Sequence, residues 1–453
     1  MQKFLTRWFS GESLDYHFVF ALLAPVIADQ FFLISFNFLN TAMIASSGQS
    51  AISAVNIVGS INVLLIQIFV AVGLGGTVLI AQYFGGKQLK ILGQVVNGTL
   101  FGAILTGLGL AVIFGILHTP ILQLLFGAAA PKVMDDAKIY MLGVLASYPF
   151  EATVEGTNGC LRGIGRTKNS LILSSTMNGL YLIFNLVFIT WLHLGIVGMI
   201  IALNLSRWLA AAFAVWMLST HRDLFALRMQ TLRHVDFKMI RRVLTVAVPF
   251  AAESFFFNGG KIIIQMMIVG LGTSVIVTNA IANSWTQLSE IIPTALEVAL
   301  VPIVGQCIGR RNIDDAKKLT KSFLGLGIVA FVLVDGILML SFNRGIQLFS
   351  PAADIVGDIF HIYVIFAVMH ILVWSFSFVL PSALRAAGDG KFTTYVSLLT
   401  MWLFRVVGGY VFGVRLGYGL IGITVVMTLE WAIRGVIFVI RFRGARWLTK
   451  RLI

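Results

Sequence analysis

Charge is scarce in this chain. Only 11% of its 453 residues are Asp, Glu, Lys or Arg, where a soluble protein carries roughly a quarter. That shortage excludes an ordinary water-soluble fold. Cysteine is scarcer still: Cys160 and Cys307 stand far apart with no Cys-x-x-Cys spacing, which argues against a disulfide framework or a zinc centre. Acids number 19 against 33 bases, a formal net charge of +14. Such a balance can signal nucleic acid, but these bases sit in short loops between apolar runs, so a nucleic-acid partner is not expected and a lipid bilayer is. There is no Walker loop, no hydrolase elbow and no cluster of metal ligands. An enzyme's chemistry has no carrier here, and neither cofactor nor metal is expected.

What is abundant is hydrophobicity: 58% of the residues, with a mean hydropathy of +0.92. The fold class that follows is an all-α polytopic membrane protein. A span needs about 20 apolar residues, and twelve can be read, at about 18–45, 51–82, 90–117, 134–159, 167–190, 195–219, 242–270, 275–307, 317–342, 354–383, 391–413 and 419–441. The first runs too long for a cleaved signal and lacks a small-residue cleavage site, so it is read as retained. The longest loop, around 221–241, is basic and divides a six-span N-lobe (1–220) from a six-span C-lobe (242–453). Most Lys and Arg fall on one side of the membrane, whereas Lys132, Lys138, Arg344 and Arg415 fall on the other. The positive-inside rule then puts both termini in the cytosol of a multi-pass cell-membrane protein.

The two lobes repeat one another at an offset of about 224 residues. Leu161-Arg162-Gly163-Ile164-Gly165-Arg166-Thr167-Lys168 answers to Leu384-Arg385-Ala386-Ala387-Gly388-Asp389-Gly390-Lys391. Pro25 answers to Pro249, the Gln82-x-x-Gly85 stretch to Gln306-x-x-Gly309, and Gly195-x-x-Gly198 to Gly419-x-x-Gly422. Duplicated, intensely apolar halves of even span number are the mark of a transporter whose parallel repeats are related by an axis along the membrane normal. It is expected to act as a monomer. The stretch Gly73-x-Gly75-Gly76 reads as close helix packing, not as a phosphate loop.

Ionisable groups inside spans cost about 2.5–3.5 kcal/mol each on insertion scales, so each is a candidate functional residue. Asp29 and Glu253 both lie four residues after the paired prolines. Glu253 and Lys261 are two turns apart, and Glu290 and Glu297 share a face of span eight. Glu290, near mid-membrane, is the first candidate for a titratable acid that takes up a cation, Glu253 the second, and Asp29 an N-lobe alternative. The competing reading for each is a structural ion pair. Glu151 and Glu155, one turn apart, are read with Arg162 and Arg166 as a cytosolic ion-pair network. Arg207 and Glu430 are read as structural, Asp335 is left open, and His370 has the intrinsic pKa of a proton switch. Asn37 and Asn178 are read with Lys261, Arg405 and His370 as candidate lining of a substrate cavity. Acids outnumber bases among these groups, which suits a cavity that attracts cations.

The doubled Leu-Arg loop, the Ala81-Gln82-x-x-Gly85 loop and Trp402-Leu403-Phe404-Arg405 resemble the multidrug and toxic compound extrusion (MATE) family over essentially the whole chain. The resemblance implies an efflux antiporter exchanging H⁺ or Na⁺, H⁺ being preferred, for amphipathic and mostly cationic small organic molecules through rocking lobes. One departure stands out. Where the family commonly places acids in spans one and five, this chain has Asn40 and Asn185. Asn matches a protonated Asp in shape but cannot exchange a proton. Either the ion couples elsewhere or Asn40 mimics the proton-bound state. The alternative reading is a flippase-like exporter of an anionic or lipid-linked substrate, using Lys261 and Arg405.

Overall fold

The computed structural model describes residues 2–12, 14–44, 49–127, 129–220, 236–448 and 452; the side chains of 2, 4, 5 and 37–51 are outside that description. Every regular element among the described residues is helical. The chain order is α1 (Gln2–Phe9), α2 (Tyr16–Ile44), α3 (Gln49–Gly85), α4 (Leu89–Phe126), α5 (Pro131–Ala146), α6 (Tyr148–Gly163), α7 (Thr167–Asn185) and α8 (Gly195–Thr220). There follow α9 (Phe237–Gly270), α10 (Thr273–Gly309), α11 (Ile313–Gly345), α12 (Val356–Met369), α13 (Leu380–Ala386), α14 (Gly390–Thr400) and α15 (Gly419–Arg443). Four π-helical stretches join these rods, at Leu186–Trp191, His370–Val379, Met401–Gly408 and Tyr410–Arg415. With no polar alternative in hydrocarbon, backbone N–H and C=O groups must be satisfied within each segment, which is why the chain is helical almost throughout.

Among the described residues eleven helices are long and apolar enough to cross a membrane. The twelfth expected span is split: α5 ends at Ala146 and α6 starts at Tyr148, with Pro149 in its first turn. Proline has no N–H to donate back across that junction. Ser147 caps the break instead, donating to the Val144 carbonyl at 2.6 Å and accepting from Arg207 Nη1 at 2.6 Å. Several helices outrun the apolar windows; α3 and α10 each have 37 residues and α4 has 38.

Contacts divide the chain into two compact units, one of Ala28–Ala251 and one combining Met1–Ile27 with Ala252–Ile453. In the second, α1 and the turn after it lie on α11. Ser322 Oγ donates to the Trp8 carbonyl, Lys318 Nζ to the Ser10 carbonyl, and the Glu12 amide to Asp315 Oδ1.

The repeat holds at the level of backbone turns. α3 and α10 start and end 224 residues apart. Lys87 and Arg311, one repeat apart, both take left-handed φ values of 56° and 60°, a costly conformation for residues with a Cβ that is kept only where a tight turn imposes it.

In the Ala28–Ala251 unit, α3 meets α6 at glycines. A Cβ on Gly159 would sit 2.2 Å from the Gly73 carbonyl oxygen, and one on Gly73 would sit 2.6 Å from the Glu155 carbonyl oxygen. Thr77 Oγ1 then reaches the Gly159 carbonyl at 3.0 Å. Small residues let membrane helices approach this closely. Because the obstructing atoms are backbone, Gly159→Ala must push the helices apart, and a loss of about 1–3 kcal/mol is expected in equilibrium unfolding from mixed micelles. An unchanged midpoint would show that the contact is not tight.

Candidate functional site in the C-terminal half

A cavity of about 460 Å³ lies within the Ala252–Ile453 unit, framed by α9, α10, α15 and the π-helical stretches at 370–379 and 401–408. One wall is aromatic. Trp374 stacks on Phe378 with centroids 4.7 Å apart, and Phe378 and Phe366 meet Trp431 at 5.6 and 5.9 Å. The other is polar, with Thr286, Gln287, Glu290 and Glu297 from α10 and Lys261 from α9. The α10 residues share a face because 286, 290, 294 and 297 recur at helical spacing.

Behind Glu290 runs a chain of titratable groups. Glu290 Oε1 lies 3.5 Å from His370 Nε2, and His370 Nδ1 lies 3.3 Å from Asp335 Oδ2. Tyr363 donates its hydroxyl to Asp335 Oδ1 at 3.1 Å. Glu290 keeps 31% of its side chain accessible, whereas His370 has none. The imidazole is wedged against Phe331 at 4.5 Å and Trp431 at 5.9 Å. Nδ1 is hydrogen-bonded to Asp335, and Nε2 stands at ion-pair distance from Glu290 without a hydrogen bond among the described residues, so the imidazole is placed to offset charge behind the acid that faces the cavity. His370 also opens the 370–379 π-helical stretch, a helix distortion that recurs at functional sites.

Around this chain the other acids are engaged. Glu253 Oε1 accepts from Arg385 Nη2 at 2.7 Å, and its Oε2 accepts from Thr394 at 3.2 Å. Glu297 Oε1 lies 3.4 Å from Arg385 Nη1. Glu430, wholly buried, pairs with Arg405 and Arg434 and accepts from Thr400.

The Ala28–Ala251 unit repeats part of this wiring. Arg162 Nη2 lies 3.2 Å from Asp29 Oδ2, and Arg162 Nε donates to Ser170 at 3.1 Å. Arg162, Asp29 and Ser170 stand one repeat from Arg385, Glu253 and Thr394. In both units the arginine of the doubled Leu-Arg loop is thus a staple that ties its own helix to the helix carrying the proline. The following span joins through the arginine in one, where Ser170 accepts from Arg162, and through the acid in the other, where Thr394 donates to Glu253.

A family model described as MatE matches residues 25–187 and again 249–411. The chain belongs to the MatE family. It is 25% identical over 441 residues to the uncharacterized transporter YisQ of Bacillus subtilis, covering 95% of each chain. It is 22% identical to a probable multidrug resistance protein NorM of Oceanobacillus iheyensis, over 86% of this chain and 88% of the relative. Its fold is like that of a multidrug resistance MATE family transporter of the MOP superfamily solved in an outward-facing conformation, at a TM-score of 0.86, 18% identity and 96% coverage of each chain. It is similarly like a MOP superfamily transporter from Pyrococcus furiosus described by the reverse polarity of its binding pocket, at a TM-score of 0.84, 18% identity and 95% coverage of each.

The residues singled out from the sequence of this MatE chain separate into groups. Glu290, Lys261 and Arg405 line the C-terminal cavity, and His370 stands directly behind Glu290. Glu253 and Asp29 are held by Arg385 and Arg162. Glu253 does not pair with Lys261, two turns along its own helix, because Arg385 reaches it from α13. The expected network of Glu151, Glu155, Arg162 and Arg166 takes a different form. Glu151 pairs with Arg207 at 3.0 Å, Arg162 pairs with Asp29 while remaining within electrostatic reach of Glu155, and Arg166 is exposed. Arg207 and Glu430 are both in structural pairs, though with Glu151 and with Arg405 and Arg434 respectively. Asn178 returns its amide to the Ser174 carbonyl at 2.9 Å, and Asn185 is fully buried at the end of α7. The side chains of Asn37 and Asn40, and residues 221–235 of the basic linker, lie outside the described residues. The link from Glu290 through His370 to Asp335 is missing from the sequence reading. Residues 290, 335 and 370 have no spacing that joins them, and the only signal was that each is ionisable in an apolar span.

Proposed function

We propose that this chain is a secondary active exporter of amphipathic, aromatic small organic molecules, working by alternating access and driven by protons. Glu290 carries the coupling proton, with His370 and Asp335 as the chain that receives and steadies it. The observation that supports this reading most is the Glu290–His370–Asp335 line opening on an aromatic cavity. The family supports export, and the names of its multidrug resistance relatives support the substrate class. Glu253 is the weaker candidate, because both of its oxygens are already engaged, by Arg385 and by Thr394, where Glu290 faces the cavity. Both termini lie in the cytosol on this reading, from the one-sided distribution of Lys and Arg.

The mechanism is competition. A substrate's cationic centre and a proton both neutralise Glu290, so loading one releases the other. Purified protein in proteoliposomes, given an imposed pH gradient and a cationic dye, is expected to accumulate dye. Glu290→Gln is expected to lower the pH-driven rate at least about tenfold, and Glu151→Gln is not expected to abolish the response to pH. A sodium gradient at constant pH separates the two ions. Dye accumulation that follows sodium and ignores pH would overturn proton coupling, as would a fully pH-responsive Glu290→Gln.

A further inference from the structure

We infer that the C-terminal cavity is built for aromatic zwitterions, with a protonated amine at Glu290 and a carboxylate at Lys261 and Arg405. This rests on the proposed export function and specifies the ligand of the same cavity.

The charges left over after the internal ion pairs are counted carry the inference. Of the two acids lining the cavity, Glu297 faces Arg385, so Glu290 remains the acid open to a ligand. Of the two bases, Lys261 forms no ion pair among the described residues, and its ammonium sits over the Phe257 ring at 5.1 Å. Arg405 also lies over Phe257 at 5.1 Å and gives Nη2 to Glu430, while its buried Nε has no hydrogen-bond partner among the described residues. Among the described residues the buried indole N–H of Trp431, which lines the same cavity, has none either. Arg405 is 3% and Trp431 5% exposed. Lys261 and Arg405 therefore meet over one ring, with Arg434 beyond them at 5.9 Å, and the two unmet donors belong to residues that line the same cavity. Buried donors without acceptors are costly and rare, and a carboxylate, with about four lone-pair sites, answers them.

A purely cationic ligand would satisfy Glu290 and be repelled by Lys261 and Arg405. A purely anionic one would do the reverse. A zwitterion meets both poles, and its ring system lies against Phe257, Phe378 and Trp431, where stacking and contact area add affinity without demanding exact placement. Protonating Glu290 removes the hold on the amine and leaves the carboxylate contact, so proton loading weakens the ligand without abolishing its recognition. The charged groups around Glu290 are His370 behind it, Lys261 and Arg405 lining the same cavity, and Glu297 two turns along its own helix.

Rhodamine 110 and rhodamine 123 share one xanthene and differ in a free carboxylate against its methyl ester, so they isolate the anionic pole. Fluorescence polarisation with the purified full chain is expected to show the acid binding about tenfold tighter than the ester. Lys261→Met should bring that ratio close to one, and Lys261→Arg should keep it. Equal affinity for both dyes in the unmodified protein would overturn the inference, as would an equal loss for both in Lys261→Met. The ratio is read at equilibrium and needs no ion gradient. A failure of proton coupling in the Glu290→Gln transport assay therefore leaves it readable, and the two ideas fail separately.

Discussion

Glu430→Gln is expected to destabilise the C-terminal unit by about 3–5 kcal/mol, because it strips the shared counter-charge from two buried guanidinium groups. Glu430 is fully buried on α15, between Arg405 and, one turn along its own helix, Arg434. Arg434 is 2% exposed, donates Nε to Ser377 at 2.7 Å and lies over Phe378 at 4.3 Å. Glutamine keeps the shape and one acceptor for Thr400, so the loss reads the charge and not a cavity. At 3% and 2% exposure Arg405 and Arg434 then become poorly compensated buried ions. The triad as a whole behaves differently. Arg405→Met, Glu430→Leu and Arg434→Met together remove the desolvation cost along with the attraction, and stability is expected to return to within about 1 kcal/mol of the starting protein or to exceed it. Equilibrium unfolding in mixed micelles, followed by tryptophan fluorescence, measures both. A loss below about 1 kcal/mol for Glu430→Gln would mean that water or lipid phosphate reaches the arginines.

The sequence made the scaffold legible and left the wiring obscure, for physical reasons. Apolar runs of span length can only be helices in a membrane, so the rods at 89–126 or 195–220 announce themselves. The split of the fourth span at Ser147 was marked by Pro149, but the apolar run across it hid the break. Offsets of 224 residues predicted matching turns, and Lys87 with Arg311 bear this out in their backbone angles. Partner choice is another matter. A helix brings residues i and i+4 to one face, so Glu253 with Lys261 and Glu151 with Glu155 suggested local arrangements. The long arms of Arg385 and Arg207, reaching from other helices, decided the pairing instead. Spacing along one helix cannot report a contact made across two. The same limit concealed the cavity's mixed polarity: acids outnumber bases in the spans, but most of the acids are consumed by arginines, so the surplus does not reach the ligand.

Arg385→Met is expected to cost about 3–5 kcal/mol, and Arg162→Met less, even though the two arginines occupy the same place in the repeat. Arg385 stands between two carboxylates, Glu253 at 2.7 Å and Glu297 at 3.4 Å. Arg162 has one within ion-pair distance, Asp29 at 3.2 Å, and a hydroxyl, Ser170. Removing Arg385 therefore leaves two acids facing each other in a half-buried site, where like charges add repulsion to lost hydration. Removing Arg162 leaves Asp29 without its ion-pair partner and takes a nearby positive charge from Glu155, but among the described residues it frees no second acid held at ion-pair distance. The second change to make is Glu253→Gln in the Arg385→Met background. With one carboxylate neutralised, at least about half of the lost stability should return, and the coupling energy from the double-mutant cycle should fall between about 0.5 and 3 kcal/mol. Equal losses for Arg385→Met and Arg162→Met would show that the second acid, Glu297, draws its support elsewhere. The asymmetry also bears on transport. A staple that holds one acid only ties two helices together. The staple in the C-terminal unit holds Glu297 as well, a residue that lines the cavity, so loosening it should alter dye affinity. Arg162→Met, which frees no cavity acid in that unit, tests whether stability alone produces such a change.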